Sequence, residues 1–261
     1  MTRPFRLRKR NARRTFLTRA AGAASLLTLA GCDNLSRTQW FPQVLDSVTP
    51  FNEALAKLVG RRSMAQEFAE KDRSPTFRSN GSNDPGTPEY AAWVQAGFAT
   101  YALNVGGLCE APRKFTLDEL RALPSRTQIT RHDCVEGWSA IAKWKGVRLS
   151  AILDAVKVKP QARYVVFYCA DPMAEDGTDL YYESIDFDDA RHEQTILAYD
   201  LNDAALPVPN GAPLRLRVER QLGYKHAKYI TGLEFVESFG KIGGGKGGYW
   251  EDQGYQWWAG I

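Results

Sequence analysis

Five short segments rich in β-branched and aromatic residues constrain the fold of this chain most. Three predicted helices accompany them, but they do not alternate regularly with the strands, so a doubly wound parallel sheet is not expected. The pattern predicts an α+β fold instead. The predicted strands are Thr100–Val105, Gln128–Cys134, Arg163–Cys169, Leu214–Glu219 and Tyr229–Val236, and the predicted helices are Thr49–Gly60, Thr116–Leu123 and Ser150–Val156.

The boundaries of these elements follow from local signals. Thr49-Pro50 is a capping residue followed by proline, which predicts a helix start after a tether over residues 33–48. The polar stretch Ser74–Thr87 is long for a passive connection and is typical of a binding loop. Leu214–Val218 alternates Leu and Arg, so we expect one buried face and one face that presents Arg215 and Arg217.

The N-terminus has the composition of an export signal. Residues 1–19 hold eight basic side chains and no acidic one, and an apolar run follows from Ala20 to Gly31. That run is shorter than the roughly 20 residues that a membrane-spanning helix needs. Arg13-Arg14 predicts the twin-arginine route, and Leu29-Ala30-Gly31-Cys32 resembles a lipoprotein cleavage site. We therefore expect residues 1–31 to be a signal peptide, residues 32–73 a tether and helix, and residues 74–261 the functional domain, located in the periplasm with a lipid anchor on Cys32. The alternative is a basic arm before an ordinary helix.

Removal of this segment changes the charge of the chain. The net charge is +4 with residues 1–31 and −4 without them. No strong basic patch remains, so a nucleic-acid partner is not expected. Three cysteines remain besides Cys32, namely Cys109, Cys134 and Cys169. At most two of these can pair, so at least one thiol needs another role.

Cys134 lies where a strand meets a turn, within Arg131–Ser139. Cationic surroundings predict a lowered thiol pKa, and a thiolate is a soft ligand for a redox metal. Taken alone, the segment also suits a disulfide partner, a small buried residue, or a catalytic pair with His132 on the same strand face. The chain has no Cys-x-x-Cys or His-x-x-x-His spacing, so zinc and iron–sulfur sites are unsupported.

A second group of residues suits a phosphate-bearing ligand. Asn210–Arg215 is a turn that leads into a strand with an arginine, and Gly223–Lys228 is a second turn with Lys, His and Lys. Arginine binds anionic oxygens through two parallel donors, and lysine adds a point charge. A polar hairpin with solvated charges is the alternative.

Together these segments and Gly248-Tyr249-Trp250 resemble the molybdopterin domain of the sulfite-oxidase superfamily, in particular its bacterial branch with the periplasmic methionine sulfoxide reductases. The resemblance covers residues 74–261 and implies mixed β-sheets with flanking helices. It implies a molybdenum-molybdopterin cofactor whose metal is bound by two dithiolene sulfurs and the catalytic Cys134. The residues that it places near the pterin or its phosphate are Asn80, Cys169, Asn210, Arg215, His226 and Lys228. Cys169 could instead pair with Cys109.

The resemblance also implies a function. We expect two-electron oxygen-atom transfer on a small or protein-bound oxo substrate, by a monomeric catalytic unit that exchanges electrons with a membrane haem protein or a periplasmic cytochrome. Val135–Trp138 and the early end of the chain depart from sulfite oxidases and favour a reductase. Val218-Glu219-Arg220 departs from the reductases, so sulfite dehydrogenase is an alternative, as is a metal-free lipoprotein binding module. The twin-arginine route carries folded proteins, which fits a cofactor inserted before export.

Overall fold

The computed structural model describes residues 37–38, 40–60, 63–174 and 177–261. The chain divides into two compact units, Met1–Val59 and Gly60–Ile261, which are described separately. The predicted twin-arginine pair Arg13-Arg14 and the predicted acylation site Cys32 lie outside the described residues.

The first unit contains helix α1 (Trp40–Gly60), and the predicted start of this helix at Thr49-Pro50 is wrong. Pro50 lies inside the helix, and residues 40–48 are helical rather than a tether. The apolar residues Val44, Val48 and Phe51 keep the helical spacing across the proline, and their side chains are exposed. Within the described residues, no helix is both long and apolar enough to cross a membrane.

The second unit is built on two β-sheets. One sheet has the order β2-β1-β10-β5-β6, in which β1 and β10 are parallel and the other pairs antiparallel. The other has the order β3-β4-β7-β8, with β9 also paired to β7, and is antiparallel. The predicted α+β fold with mixed sheets is therefore confirmed. The strands are β1 Ala102–Gly107, β2 Arg113–Thr116, β3 Ser125–Cys134, β4 Trp138–Arg148, β5 Tyr164–Pro172, β6 Leu180–Asp186, β7 Ile196–Leu201, β8 Ala204–Ala205, β9 Arg215–Arg217 and β10 Ile230–Val236.

Short helices flank the sheets. Helix α2 (Pro88–Gln95) begins with a Thr87 cap and Pro88, and helix α3 (Leu117–Ala122) begins with a capping box of Thr116 and Glu119. Helix α4 (Leu149–Val156) packs Ile152, Leu153 and Val156 into the main core with residues of both sheets. The other helices of this unit are α5 Phe187–Ala190 and α6 Tyr249–Asp252, and the 3₁₀ turns are Glu70–Asp72, Val208–Asn210 and Gly223–Lys225.

Strand β9 corrects a second expectation, because both of its faces are buried. Leu214, Leu216, Arg215 and Arg217 are all 0 % exposed. The arginine face does not meet solvent, since the two guanidinium groups lie 5.5 and 4.4 Å from the ring centroid of Trp144 in β4. An alternation of Leu and Arg here marks two different buried layers, one apolar and one polar.

Gly146 tests the packing between β4 and β7. A Cβ atom at this position would lie 2.2 Å from the carbonyl oxygen of Leu197. We expect Gly146→Ala to lower the free energy of unfolding by about 1–3 kcal/mol, because one strand must shift. At Gly106 in β1 the described part of the chain leaves open space within 4 Å of an added Cβ. Gly106→Ala is thus the control in a denaturant titration, and equal stability of the two variants would contradict this packing.

Candidate functional site

A cavity of about 220 Å³ lies in the second unit, between the ends of β3 and β5 and the turn Gly223–Lys225. It brings four of the predicted site residues together: Asn80, Cys134, His226 and Lys228. Asn210 and Arg215 join the site through hydrogen bonds described below. The other lining residues are Gly81, Ser82, Val135, Glu136, Asp171, Met173, Tyr181, Gly223, Tyr224, Ala227, Trp250 and Tyr255.

Cys134 is the last residue of β3 and begins a tight hairpin turn to β4. The amide of Gly137 donates to the carbonyl of Cys134 at 3.0 Å, and Gly137 has a φ of 84°, which favours glycine. The thiol is half-buried at the cavity. Burial raises its pKa and outweighs the lowering by the Glu136 amide, Arg215 and Arg78, so the expected lowering of the pKa is wrong for the protein without a cofactor.

His132 is not arranged as a base for Cys134. The guanidinium Nη1 of Arg217 lies 2.9 Å from His132 Nδ1. A guanidinium can only donate, so Nδ1 is the acceptor and a neutral ring carries its hydrogen on Nε2. Burial, and then His226, lowers the pKa of His132 well below its usual value. The ring therefore offers the thiol no free basic nitrogen, which argues against the thiol-enzyme alternative.

Arg215 and Arg217 are both fully buried but differ in their partners. Arg217 forms two hydrogen bonds to the carboxylate of Glu219, at 2.9 and 2.6 Å. Arg215 donates only to neutral groups, the side-chain oxygen of Asn80 at 2.9 Å and the carbonyl of Asn210 at 3.2 Å. Among the described residues, its Nε atom has no partner. Burial and then Arg217 lower the pKa of Arg215 to about 9. Among the described residues, no carboxylate forms an ion pair with this buried cation.

Lys228 holds the loop that contains Asn80 and Ser82 in place. Its ammonium donates to the carbonyls of Asn80 at 2.7 Å, Pro209 at 3.0 Å and Ser82. These three bonds use all three hydrogens of the ammonium. Burial, and then Arg215, lowers the pKa of Lys228 to about 7. In this conformation Lys228 contributes charge and orders the loop, rather than offering a free donor.

Asp171 is a site residue that the sequence reasoning missed. It lies at the end of β5, is 5 % exposed and lines the cavity. Ser82 donates to its Oδ2 at 3.0 Å, whereas its Oδ1 is buried without a partner among the described residues. Burial raises the pKa of Asp171. An acidic residue that ends an otherwise apolar strand was the available signal.

Cys169 lies two residues before Asp171 but is not among the residues that line the cavity. Cys109 and Cys169 are both buried and free, so the alternative of a disulfide between them is not formed in the described structure.

His226, one of the predicted site residues, lies at the cavity. Its Nε2 atom is 3.0 Å from the carbonyl oxygen of Gln221, and its ring centroid is 5.0 Å from that of His132.

A buried ion cluster lies next to Tyr224 and Trp250, two aromatic residues that line the cavity. Lys225 donates to Glu183 at 2.5 Å and to Glu251 at 2.6 Å, and all three side chains are at most 1 % exposed. Lys225 belongs to the turn before His226, Glu183 to β6, and Glu251 to α6 next to Trp250. The cluster thus joins three segments, each of which contributes a residue to the lining of the cavity.

Comparison with known proteins gives the site a family. The oxidoreductase molybdopterin-binding domain matches residues 91–240. The chain is 38 % identical over 251 residues, 95 % of its length and 88 % of the relative, to an Azospira oryzae protein with the provisional name protein-methionine-sulfoxide reductase subunit YedZ1. It is 40 % identical over 145 residues to the protein-methionine-sulfoxide reductase catalytic subunit MsrP of Xanthomonas axonopodis pv. citri, covering 52 % of this chain and 45 % of that one. Among solved structures, the sulfane dehydrogenase SoxCD of Paracoccus pantotrophus aligns with a TM-score of 0.48 and 23 % identity over 54 % of this chain and 39 % of that chain.

The unequal pairing of the two arginines predicts unequal mutational effects in cofactor-free protein. Arg217→Met leaves the Glu219 carboxylate buried without its cation, and we expect the free energy of unfolding to fall by about 3–5 kcal/mol. Arg215→Met removes a cation that lacks an anion, so stability should change much less. Denaturant unfolding of both variants measures the difference. Equal losses would mean that Arg215 is balanced by a partner.

Proposed function

Because this chain belongs to the family of the oxidoreductase molybdopterin-binding domain and is an oxidoreductase of that family, we propose that it is a molybdenum enzyme that reduces sulfoxides. The observation that carries the proposal is the half-buried thiol of Cys134 on a cavity joined, through Asn80, to the uncompensated guanidinium of Arg215. The names of its relatives support sulfoxides as the substrate class. The chain spans about half the length of the MsrP relative that it matches, so substrate and partner are proposals.

The residues present fit a molybdopterin. A thiolate is a suitable ligand for a redox metal. Arg215 Nε and Asn210 Nδ2 are buried donors without partners in the described part of the chain, and Asp171 Oδ1 is a buried acceptor without one. A phosphate would satisfy the donors, and the N–H groups of a pterin would satisfy the acceptor. When bound, the cofactor supplies two-electron oxygen-atom transfer.

Each side chain then has a definite task. Cys134 would hold the metal, and Arg215 would bind the phosphate together with Asn210 and the charge of Lys228. Asp171 would accept from the pterin, and Asn80 would orient Arg215. On the substrate side, Trp250 and Tyr255 lie with ring centroids 5.4 Å apart, and Tyr224 meets Tyr255 at 5.2 Å. This aromatic wall would exclude water and pack against the apolar carbons of a thioether.

The overall reaction takes up two electrons and two protons, and converts a sulfoxide to a thioether and water. The electrons would come from a separate haem protein, because the sequence carries no haem motif. Glu136 lies at the cavity and accepts from the indole of Trp138 at 2.8 Å, so it is oriented by a neighbour rather than by a salt bridge. Sulfite oxidation is the alternative reaction.

Turnover with a dye donor tests the reaction. Protein from a molybdopterin-producing host, given a reduced one-electron dye, should reduce methionine sulfoxide in free or peptide form, and Cys134→Ala should lower the rate to background. Cys109→Ala, which changes a buried thiol that is not among the lining residues of the cavity, is the control. A fully active Cys134→Ala enzyme, or turnover of sulfite only, would reject the proposal.

Retention of the pterin tests the phosphate site. A charge-assisted hydrogen bond contributes about 1.5–3 kcal/mol, so Arg215→Ala should weaken retention by about 10- to 100-fold. Arg215→Lys should restore it only partly, because lysine lacks the two parallel donors. Pterin content after gel filtration is the measurement, with Arg121→Ala, at an exposed pair with Asp200, as the control. Normal content in Arg215→Ala would place the phosphate elsewhere.

We also propose that the protein is exported by the twin-arginine route and anchored through Cys32, on the basis of the N-terminal sequence. Changing Arg13 and Arg14 together to Lys should leave cofactor-loaded protein in the cytoplasm, and Cys32→Ala should abolish lipid labelling. Cell fractionation with radiolabelled fatty acid measures both. Export that survives the double Lys change would show that another route is used.

A further inference from the structure

The inward face of β3 is polar along its whole approach to Cys134. Gln128, Thr130 and His132 occupy alternate positions of the strand, and each is at most 2 % exposed. A strand face that packs against a protein interior normally carries apolar side chains. Such a row of buried polar groups is costly unless it is hydrogen-bonded, so its partners are informative.

Arg217 and Glu219 supply partners for Gln128 and His132, whereas Thr130 Oγ1 has none among the described residues. The side chains of Arg217 and Glu219 are both 0 % exposed, and they form a bidentate ion pair. Gln128 donates to the same carboxylate at 2.8 Å, and Arg217 donates its remaining Nη1 to His132 Nδ1 at 2.9 Å. The ion pair therefore lies between the start of the polar row and its end, and it fixes which nitrogen of His132 carries hydrogen.

The ring of His132 contacts both halves of the site. It lies edge-to-face on His226 at 5.0 Å and 5.5 Å from the ring of Trp138, on the hairpin that begins at Cys134. A Cβ added to Gly223 would lie 2.6 Å from His132 Nε2, so the turn backbone rests directly on the ring. His132 is the side chain through which the strand of Cys134 and the turn of His226 are kept in register.

We propose that Arg217 and Glu219 are positioning residues that hold His132 in one orientation and one tautomer, and thereby fix Cys134 relative to the turn Gly223–His226. The role of Cys134 as metal ligand rests on the proposed function. A buried ion pair can often be replaced by apolar residues without loss of stability, so stability alone does not account for this network. Because the connection runs through the imidazole of His132, its loss should change the NMR spectrum of the ring nitrogens as well as the melting temperature of the protein.

The test is a double variant, Arg217→Met with Glu219→Gln, which removes both charges together. The matched control is Arg191→Met with Asp154→Asn, an exposed ion pair between the end of α5 and α4. The first readout is the ring-nitrogen NMR spectrum of cofactor-free protein labelled on histidine, which is simple because the chain has three histidines. The second is the electron paramagnetic resonance spectrum of the one-electron-reduced molybdenum in loaded protein.

We expect wild-type protein and the control to show His132 as a single Nε2–H tautomer. The double variant should show mixed tautomers and a shifted molybdenum spectrum, and Arg217→Lys, with charge but fewer donors, should fall between them. If the double variant does not fold, Arg217→Gln with Glu219→Gln, which also removes both charges but keeps hydrogen-bonding side chains, gives the same comparison. A folded variant with an unchanged tautomer or an unchanged molybdenum spectrum would overturn the proposal. The histidine spectra decide the tautomer even if wild-type protein binds no molybdenum, an outcome that would refute the proposed function instead.

Discussion

The guanidinium of Arg215 is fully buried and donates to neutral groups on two segments next to the cavity, the loop with Asn80 and the turn with Asn210. A buried cation is tolerated when hydrogen bonds replace its hydration and an anion balances its charge. The protein supplies the first condition through Asn80 and Asn210. No carboxylate among the described residues meets the second, and we propose that the phosphate of the cofactor does. The loop with Asn80 is in turn tied down by Lys228, whose close approach to Gly211 leaves 2.9 Å between an added Cβ and the lysine Cβ. Position 211 therefore requires glycine, as its φ of 108° also indicates.

Arg215 and Arg217 lie two positions apart on the same strand but have different partners. Arg217 pairs with the carboxylate of Glu219 and donates to His132, whereas Arg215 donates to neutral oxygens. Because alternate residues of a strand point to the same face, both guanidinium groups meet the ring of Trp144 and enter one polar layer. Glu219, two residues after Arg217, pairs with Arg217, so Arg215 is the arginine that we propose for the anionic ligand. Strand β9 thus contributes Arg217 to the hydrogen bonds of His132 and Arg215 to the proposed anion site.

Much of the fold and site could be predicted because the signals were local. The continuous apolar run after Arg163, the capping box at Thr116 and the segment around Cys134 each carry their own pattern. Strand β4 was missed because Ala, Lys and Gly, which strands carry less often, make up much of Ala140–Gly146, and Gly146 reflects the close approach of β7. The burial of Arg215 and Arg217 and the role of Asp171 depend on partners distant in sequence, such as Asn80 and Ser82. In the glycine-rich segment Gly240–Gly248, Gly243 and Gly247 leave room for Tyr182 and Trp257, two partners distant in sequence.

We propose that Cys134 supplies the protein ligand to a molybdenum held on a pterin. X-ray absorption at the molybdenum edge measures the sulfur atoms around the metal directly. Wild-type protein from a molybdopterin-producing host should contain about one molybdenum per chain, and Cys134→Ser protein that retains the metal should show one sulfur neighbour fewer at the same pterin content. An identical sulfur count in the two proteins, or wild-type protein free of molybdenum, would contradict the account.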